Sequence, residues 1–323
     1  MNDFFYHQPG TLHEAIALLQ PSSRPLAGGT DLVTLMKPGL VEPTHLVSIR
    51  GVLPKSIREE AEATALGAGV TLAEIEESPL IRAKYTALAQ AAALAATPQI
   101  RNLATIGGNL LQRPRCWYFR NPRVHCWLKG CADCPAREGE NRQHALFGDS
   151  PCVAVHPSDP AAALLAFDAQ VRIGAPQGER TAPLEELFAV PEEGRRSETR
   201  LAENELILEV RMPAHPAETR SVYLKAMDRA AFAFALVGVA AVLRLSSGGK
   251  VGHARVVLSG VAPIPWRARA AEAVLLGSTV QQDLWEKAAE AAVEGAAPLQ
   301  HNAWKIALAK ALVKRALRAL AAP

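Results

Sequence analysis

The cysteines are the residues of this sequence best suited to do chemistry, and all five lie in one stretch of the chain. They are spaced by ten, five, three and eighteen residues, as Cys116, Cys126, Cys131, Cys134 and Cys152. Packing in a hydrophobic core would spread cysteines over several elements, so the clustering indicates a shared chemical role. Disulfide bonds, a structural zinc site and an iron–sulfur cluster are the three chemistries that fit.

These three chemistries make different demands on the chain. The first residues lack a basic segment followed by an apolar run, so we expect no secretory signal, and disulfides are disfavoured. Zinc sites favour short paired spacings, and only Cys131 and Cys134 are that close. His125 and His144 could contribute ligands to such a site. An iron–sulfur cluster tolerates irregular spacing because it organises its own loop, but spacing does not say which of the five cysteines is spare.

Two Gly-Gly turns, Gly28–Gly29 and Gly107–Gly108, each precede an apolar segment. Glycine lets the backbone approach a ligand closely and take positive φ, so that successive N–H groups converge on an anion. Thr30 in the first turn, and Thr105 and Asn109 in the second, add side-chain donors. These features predict a pyrophosphate held between two loops. The alternative is two ordinary turns, since neither fits the GxGxxG pattern and no P-loop pattern occurs.

The composition indicates a folded, mildly basic protein. Of the 323 residues, 49% are hydrophobic and 21% charged, and the net charge is +3. These values predict a sizeable core and two or three domains, and they exclude disordered and fibrous classes. No basic stripe with interleaved aromatic residues indicates nucleic-acid binding, and the apolar runs are too short or too rich in Ala and Gly to span a bilayer. We expect a soluble bacterial protein, cytoplasmic, or periplasmic if a partner subunit carries an export signal.

Alternating helix and strand patterns must position the turns and the cysteines. Two capping-box pairs, Thr11 with Glu14 and Thr71 with Glu74, predict helix starts. Apolar periodicity predicts strands at His45–Ile49, Leu66–Val70, Leu206–Val210, Val222–Met227, Phe234–Leu245 and Arg255–Val261, and helices at Ala83–Ala96, Gln281–Glu294 and Ala303–Leu320. The highly charged segment Pro191–Glu203 has no apolar period and is predicted to be a linker or an exposed loop.

The glycine turns carry a family resemblance. The segments Ala27–Leu32 (AGGTDL) and Thr105–Leu110 (TIGGNL) resemble the two flavin pyrophosphate loops of FAD-binding subunits of the xanthine dehydrogenase, or molybdenum hydroxylase, family. The segments His156–Asp159 and Lys225–Ala235 are also similar to that family's, and the resemblance covers essentially the whole chain in the expected order.

The resemblance implies an α+β fold of three parts. Two small subdomains, at residues 1–60 and 61–180, would clamp FAD as in the vanillyl-alcohol-oxidase and p-cresol-methylhydroxylase type of fold. The iron–sulfur loop, residues 112–152, would be inserted in the second. Residues 181–323 would form a C-terminal domain of antiparallel sheet and helices, as in CO dehydrogenase flavoproteins.

The cysteine stretch resembles the 4Fe–4S loop in the FAD subunit of periplasmic aldehyde oxidoreductases. The similarity lies in Leu111–Phe119 (LQRPRCWYF) and Arg142–Ala145 (RQHA). It implies four cluster ligands: Cys116, Cys126, Cys134 and Cys152. Cys131 departs from the family's pattern as an extra thiol, so the third ligand is either Cys131 or Cys134.

The resemblance also implies which residues bind FAD. They are Leu26, Ala27, Gly28, Gly29, Thr30, Asp31, Leu32, Thr105, Gly107, Gly108, Asn109, Leu110, His156, Asp159 and Lys225. Asp159 would bind a hydroxyl group of the cofactor, or else cap the helix that follows it. Lys225 would lie near the pyrimidine end of the flavin, where a cation stabilises the anionic reduced form; otherwise it is a surface residue of a strand.

The implied function is electron transfer within a heterotrimer. A large partner would carry the molybdenum cofactor and oxidise an aldehyde, and a small partner would carry two 2Fe–2S clusters. FAD on this chain would pass the electrons to O₂, a quinone or a redox protein, so no catalytic residue for substrate oxidation is expected here. The alternatives are a subunit like that of 4-hydroxybenzoyl-CoA reductase, one of a xanthine or purine dehydrogenase, or a zinc-stabilised binding module.

Overall fold

A computed structural model describes residues 1–281 and 283–322, and its elements group around three β-sheets. The first sheet is parallel and has three strands, β1 (Phe5–His7), β2 (Ser23–Leu26) and β3 (His45–Ser48), with β3 in the middle. Helices α1 (Leu12–Ala17) and α2 (Leu32–Met36) connect these strands.

The second sheet is antiparallel and has five strands. They are β4 (Ile57–Glu59), β5 (Ala63–Gly67), β6 (Gln170–Ala175), β7 (Gly178–Pro183) and β8 (Leu206–Pro213), in the order β4-β5-β8-β6-β7. The middle strand, β8, pairs with both β5 and β6 and lies beyond residue 180. We therefore propose that the second subdomain continues to the end of β8, rather than ending at residue 180.

Eight short helices lie between β5 and β8 along the chain. They are α3 (Leu72–Glu77), α4 (Pro79–Lys84), α5 (Thr86–Ala93), α6 (Pro98–Arg101), α7 (Ile106–Leu110), α8 (Trp117–Arg120), α9 (Asp159–Ala166) and α10 (Leu184–Leu187), with one turn of 3₁₀-helix at Trp127–Lys129. The predicted helix Ala83–Ala96 is interrupted at Tyr85. The buried Tyr85 ring packs edge-on against Phe167, and its hydroxyl donates to the carbonyl of Pro213 at 3.0 Å. These tertiary contacts outweigh the helical propensity of the alanines.

The capping predictions are confirmed. The Thr71 hydroxyl accepts from the N–H of Glu74, and the Glu74 carboxylate accepts from the N–H of Thr71. Thr11 likewise accepts from the N–H of Glu14 at 3.2 Å, although the Glu14 carboxylate accepts from Gly10 instead. The predicted strand Leu66–Val70 is displaced towards the N-terminus as β5, because the chain turns after Gly67.

The third sheet is antiparallel and is covered on both faces. It comprises β9 (Thr219–Ala226), β10 (Val237–Leu245), β11 (Val251–Ser259) and β12 (Trp266–Arg267), in the order β12-β11-β10-β9. One face packs on α11 (Arg269–Leu275), α12 (Leu284–Ala291) and α13 (Trp304–Ala321), and the other packs on α5 and α9. None of the helices in the described part of the chain has both the length and the apolar character needed to cross a bilayer.

Candidate functional site

The two glycine turns lie close together, Gly28 just after β2 and Gly107 in the first turn of α7. A Cβ added to Gly28 would lie only 1.9 Å from the carbonyl oxygen of Leu103. A Cβ added to Gly107 would lie 3.0 Å from the Cβ of Ala68. Gly29 has a φ of +72°, in the left-handed region that favours glycine. The backbones therefore approach as closely as they do because these positions carry no side chain.

The turns form the wall of an elongated cleft. The first cavity, of 310 Å³, is lined by both turns and also by Ala27 and Leu32. A second cavity, of 200 Å³, continues from it through four shared residues: Thr30, Asp31, Gly108 and Gln112. The second cavity extends to Asp159 and Lys225. The cleft thus has the glycine backbone at its middle and an ion pair at one end, which suits a long cofactor with a central pyrophosphate.

Asp159 and Lys225 are buried and bound to each other. The Lys225 ammonium donates to the Asp159 carboxylate at 2.8 Å and to the Leu94 carbonyl at 2.9 Å. The Tyr223 hydroxyl donates to the other carboxylate oxygen at 2.5 Å and lies 2.8 Å from the Ser259 hydroxyl. Burial raises the pKa of Asp159, opposed by the Lys225 cation, and burial also raises the pKa of Tyr223 well above its usual value. The N-cap of α9 is Ser158, so the Asp159 side chain faces the lysine instead.

The other predicted FAD residues differ in their placement. Asn109 lines the second cavity, and its Oδ1 accepts from the Ser158 hydroxyl at 2.5 Å. Thr105 lines the first cavity and caps α7 by accepting from the N–H of Gly108. Leu26 and Leu110 are not among the described lining residues of either cavity. His156 is buried outside both, and desolvation lowers its pKa to about 4.

Asp31 connects the first glycine turn to the cysteine stretch. Its carboxylate accepts from the guanidinium of Arg120 at 2.8 Å, that of Arg115 at 2.9 Å and the backbone N–H of Arg113 at 2.8 Å. Burial lowers the pKa of Arg115 to about 10, although Asp31 opposes this. In the sequence, Arg113 and Arg115 are recognised only as part of the motif around Cys116. In the structure both also line the cavities, together with Gln112.

Four of the five cysteines share one small core, which we call the cysteine core. Cys126 and Cys152 are buried there with Leu35, Phe119 and Trp127, and Cys116 and Cys134 pack against it. Within the described residues, Cys131 is not a member of this core. The four cysteines predicted to bind a cluster therefore pack in one core.

Backbone N–H groups point at the sulfur atoms of the cysteine core. Cys152 accepts from the N–H of Ala154 at 3.4 Å, and the backbone N–H groups of Phe119 and Tyr118 act to lower the pKa of the Cys116 thiol. Burial raises the pKa of Cys116 to about 11 and that of Cys152 well above its ordinary value, and neighbouring thiols add to both effects. Binding of a metal group would therefore have to release protons from these thiols.

The donor set of the cysteine core fits an iron–sulfur cluster. Four thiols are the ligands that a 4Fe–4S cluster uses, one for each iron. The buried thiols and their N–H donors are the features that such a cluster requires.

A charged segment closes over the cysteine stretch, and we call residues 191–200 the clasp. Trp127 Nε1 donates to Glu193 at 2.9 Å, and the Arg196 guanidinium lies 4.6 Å from the Trp127 ring centroid and donates to the Cys131 carbonyl at 2.8 Å. Glu198 is buried 3.0 Å from Arg113. The segment is a loop with exposed residues, as predicted, but it is not a free linker, because Glu193, Arg196 and Glu198 bind partners elsewhere in the fold.

Two family models match the chain. The model described as the FAD binding domain in molybdopterin dehydrogenase matches residues 2–215. The model of the CO dehydrogenase flavoprotein C-terminal domain matches residues 222–320. Their junction falls between β8 and β9, where the second sheet ends and the third begins.

Similar proteins span nearly the whole chain. The aldehyde oxidoreductase FAD-binding subunit PaoB of Escherichia coli K12 is 38% identical over 317 residues, covering 96% of each chain. The carbon monoxide dehydrogenase medium chain of Hydrogenophaga pseudoflava is 32% identical over 325 residues, covering 98% of this chain and 96% of that one. A solved carbon monoxide dehydrogenase from the same organism, which lacks the Mo-pyranopterin moiety, superimposes with a TM-score of 0.78 at 32% identity, over 99% of this chain and 97% of its own.

Proposed function

The chain belongs to the family of FAD-binding medium subunits of the molybdenum hydroxylases, and from this membership we propose that it is the electron-transfer subunit of a heterotrimeric, molybdenum-containing aldehyde oxidoreductase. The observation that carries the choice of aldehyde is the 38% identity to an aldehyde oxidoreductase FAD-binding subunit, which extends through the cysteine stretch. As a member of this family the chain is an oxidoreductase subunit.

FAD would lie along the cleft. We place its pyrophosphate between the turns Gly28–Asp31 and Gly107–Asn109, its adenosine in the first cavity and its isoalloxazine ring in the second. The close backbone approach at Gly28 and the continuity of the two cavities support this placement. Bound FAD would supply the two-electron chemistry.

Lys225 would be the cation at the isoalloxazine end. An ammonium group has three N–H donors, and Asp159 and Leu94 use two of them, so one is left for the cofactor. The Asp159 carboxylate holds the lysine in place and neutralises most of its charge. The fixed N–H would orient the ring, while the pair as a whole would shift the flavin potential less than an isolated cation would.

A 4Fe–4S cluster would be held by Cys116, Cys126, Cys134 and Cys152. The shared core and the N–H donors to sulfur support this ligand set. Two matched substitutions test it: Cys126→Ser removes a ligand, whereas Cys131→Ser removes a thiol outside the core. We expect bound iron to be lost only in the first. Loss of iron in Cys131→Ser, with retention in Cys134→Ser, would reverse the assignment of the third ligand.

The partners would be a large subunit with the molybdenum cofactor and a small subunit with two 2Fe–2S clusters. Electrons from aldehyde oxidation would reach FAD through the small subunit and leave to O₂, a quinone or a redox protein. The name of the aldehyde oxidoreductase relative, which identifies it as a subunit of a larger enzyme, supports this organisation.

The complex, isolated through a tag on this chain, provides the test. Anaerobic addition of an aromatic aldehyde should bleach the flavin absorption, and admission of an acceptor should restore it. Bleaching by a purine but not by an aldehyde would favour the xanthine-type alternative. A colourless chain that contains zinc would contradict the proposal entirely.

A further inference from the structure

A third cavity, of 90 Å³, joins the second cavity to the cysteine core. The second and third cavities share four lining residues, Arg115, Pro157, Asp159 and Phe234. The third cavity also reaches Cys116 and His144. Within the described residues, Cys116 is the one cysteine that lines any of these three cavities.

The wall between the flavin end of the cleft and the cysteine core is therefore formed by two adjacent residues of the chain. Arg115 lines the second cavity, and the next residue, Cys116, packs against the core. Consecutive Cα atoms are about 3.8 Å apart. Electron tunnelling falls off steeply with distance, so this is the short path between the two proposed redox sites.

Both residues of this wall are fixed in position. The Arg115 guanidinium donates to Gln112 Oε1 at 3.1 Å, is 2.9 Å from Asp31 Oδ1 and lies 5.3 Å from the Phe234 ring centroid. The sulfur of Cys116 lies 3.2 Å from His144 Nε2. A rigid path is what electron transfer requires, because rearrangement of the path adds to the barrier.

The first cavity also approaches the cysteine core, but at a different part of the cofactor. Leu35 belongs to the core and lines the first cavity, where we place the adenosine. Adenosine is not the redox-active end of FAD. At Leu35 the core is therefore close to the adenosine of FAD. At Arg115 and Cys116 it is close to the isoalloxazine end.

We propose that Arg115 and Cys116 form an electron-transfer junction through which the flavin and the iron–sulfur cluster of this chain share electrons. The inference rests on the proposed function for the presence of both groups. Each transfer removes one electron from the reduced flavin and adds it to the oxidised cluster, and any proton released by the flavin passes to solvent. No other oxidant is required, so the cluster acts as a store for one further electron.

Pulse radiolysis of the full chain tests this junction directly. Reduced methyl viologen, generated by the pulse, delivers single electrons to protein that has been assayed for FAD, iron and sulfide. Flavin absorption and the cluster signal in freeze-quenched electron paramagnetic resonance are then followed. We expect a phase in which the flavin loses an electron as the cluster gains it, at a rate independent of protein concentration. The same chain depleted of FAD should lack that phase.

A second measurement uses His144, which positions Cys116. His144→Leu removes the contact with sulfur, and His144→Gln retains an amide donor. Hydrogen bonds to sulfur stabilise the reduced cluster, so the leucine variant should leave more of the shared electron on the flavin at equilibrium, and the glutamine variant should resemble the parent chain.

The outcomes separate the junction from the proposed function. FAD and cluster that are both present but gain electrons only in concentration-dependent steps would overturn the junction and leave the cofactor assignments intact. A chain with FAD and no iron would overturn the proposed cluster and the junction together.

Discussion

At the scale of single residues, Asp31 shows how the cofactor cleft depends on the cysteine stretch. Its carboxylate accepts hydrogen bonds from Arg113, Arg115 and Arg120, so its side chain anchors the cysteine stretch. The glycine turn that begins three residues earlier is thereby tied to the loop that carries Cys116. Order in the loop and order in the FAD cleft should consequently depend on each other.

The first prediction concerns Gly28. Gly28→Ala would place a methyl group 1.9 Å from the Leu103 carbonyl oxygen, so the two turns must separate. We expect FAD affinity, measured by fluorescence titration of the FAD-depleted chain, to fall at least about tenfold, or roughly 1.4 kcal/mol. Gly51→Ala is the matched control, since nothing lies within 4 Å of its added Cβ. Equal affinities of the two variants would contradict the placement of the pyrophosphate.

The second prediction concerns the buried ion pair. Lys225→Met leaves the Asp159 carboxylate buried without its cation, and losing one partner of such a pair typically costs about 3–5 kcal/mol. The double variant Lys225→Met/Asp159→Asn removes the orphaned charge and should recover part of this loss. Denaturant unfolding measures both. Lys84→Met, which disrupts an exposed pair with Glu59, should change the stability far less than Lys225→Met does.

Strict additivity of the stability losses in the two single variants would contradict an interaction between Lys225 and Asp159. If the double variant were as unstable as the sum of Lys225→Met and Asp159→Asn, then the two charges would not be interacting in the folded chain.

Residue types predicted some of these contacts and not others. The Gly-Gly turns could be recognised because only glycine permits such a close approach, and Thr71 because its capping partner is three residues away. The pairing of Asp159 with Lys225 joins α9 to β9 across 66 residues, and no local pattern reports it. The positions of Gln112 and Arg115 in the walls of the cleft likewise depend on tertiary structure, which no local sequence pattern reports.

At the scale of elements, the clasp is the segment whose contacts differ most from what its sequence predicts. Residues 191–200 are charged and have no apolar period, which is typical of exposed loops. In the fold, Arg196 binds the Trp127 and Cys131 carbonyls and covers the Trp127 ring. Its side-chain contacts add to the small apolar cysteine core.

The third prediction therefore concerns Arg196. Arg196→Ala removes two hydrogen bonds to the cysteine stretch and its contact with the Trp127 ring, so the loop should loosen. We expect faster loss of iron to a chelator and faster proteolysis between residues 121 and 143, with FAD retained. The control is Arg195→Ala, because among the described residues Arg195 bonds locally, to Glu192 and Ser197 of the clasp and to Val190 just before it. Identical iron loss in both variants would show that the clasp does not hold the loop.

Element boundaries were predictable where local signals dominate. The third-sheet strands and the last helix agree with their apolar periods to within a few residues. Membership of β8 in the second sheet was not predictable, since it pairs with β5 across about 140 residues of chain and only the assembled sheet reveals it. The break at Tyr85 has the same origin.

At the scale of the whole molecule, the contact between the FAD-binding part and the C-terminal domain should make stability depend on pH. Burial lowers the pKa of His253, on β11, from 6.5 to about 4, helped by Arg255, His215 and Arg244 and opposed by Asp168. Its folded pKa lies below the unfolded value, so between these values the unfolded chain binds more protons. Stability is therefore lost as the pH falls from about 6.5 towards about 4.

The fourth prediction follows from this difference. His253→Gln should reduce the slope of unfolding free energy against pH, between pH 6.5 and 4, by up to one proton per chain. Urea unfolding at several pH values measures the slope, and exposed His13→Gln serves as the control. An unchanged slope in His253→Gln would mean that this imidazole is not held neutral by the fold.

The central claim is that one chain holds FAD and a 4Fe–4S cluster side by side. The most direct measurement is the content of FAD, iron and acid-labile sulfide in the chain after it is purified with its partners and then separated from them. We predict about one FAD with about four iron and four sulfide atoms per chain. A chain with FAD but zinc in place of iron would contradict the cluster, and a chain with neither flavin nor iron would contradict both cofactor assignments.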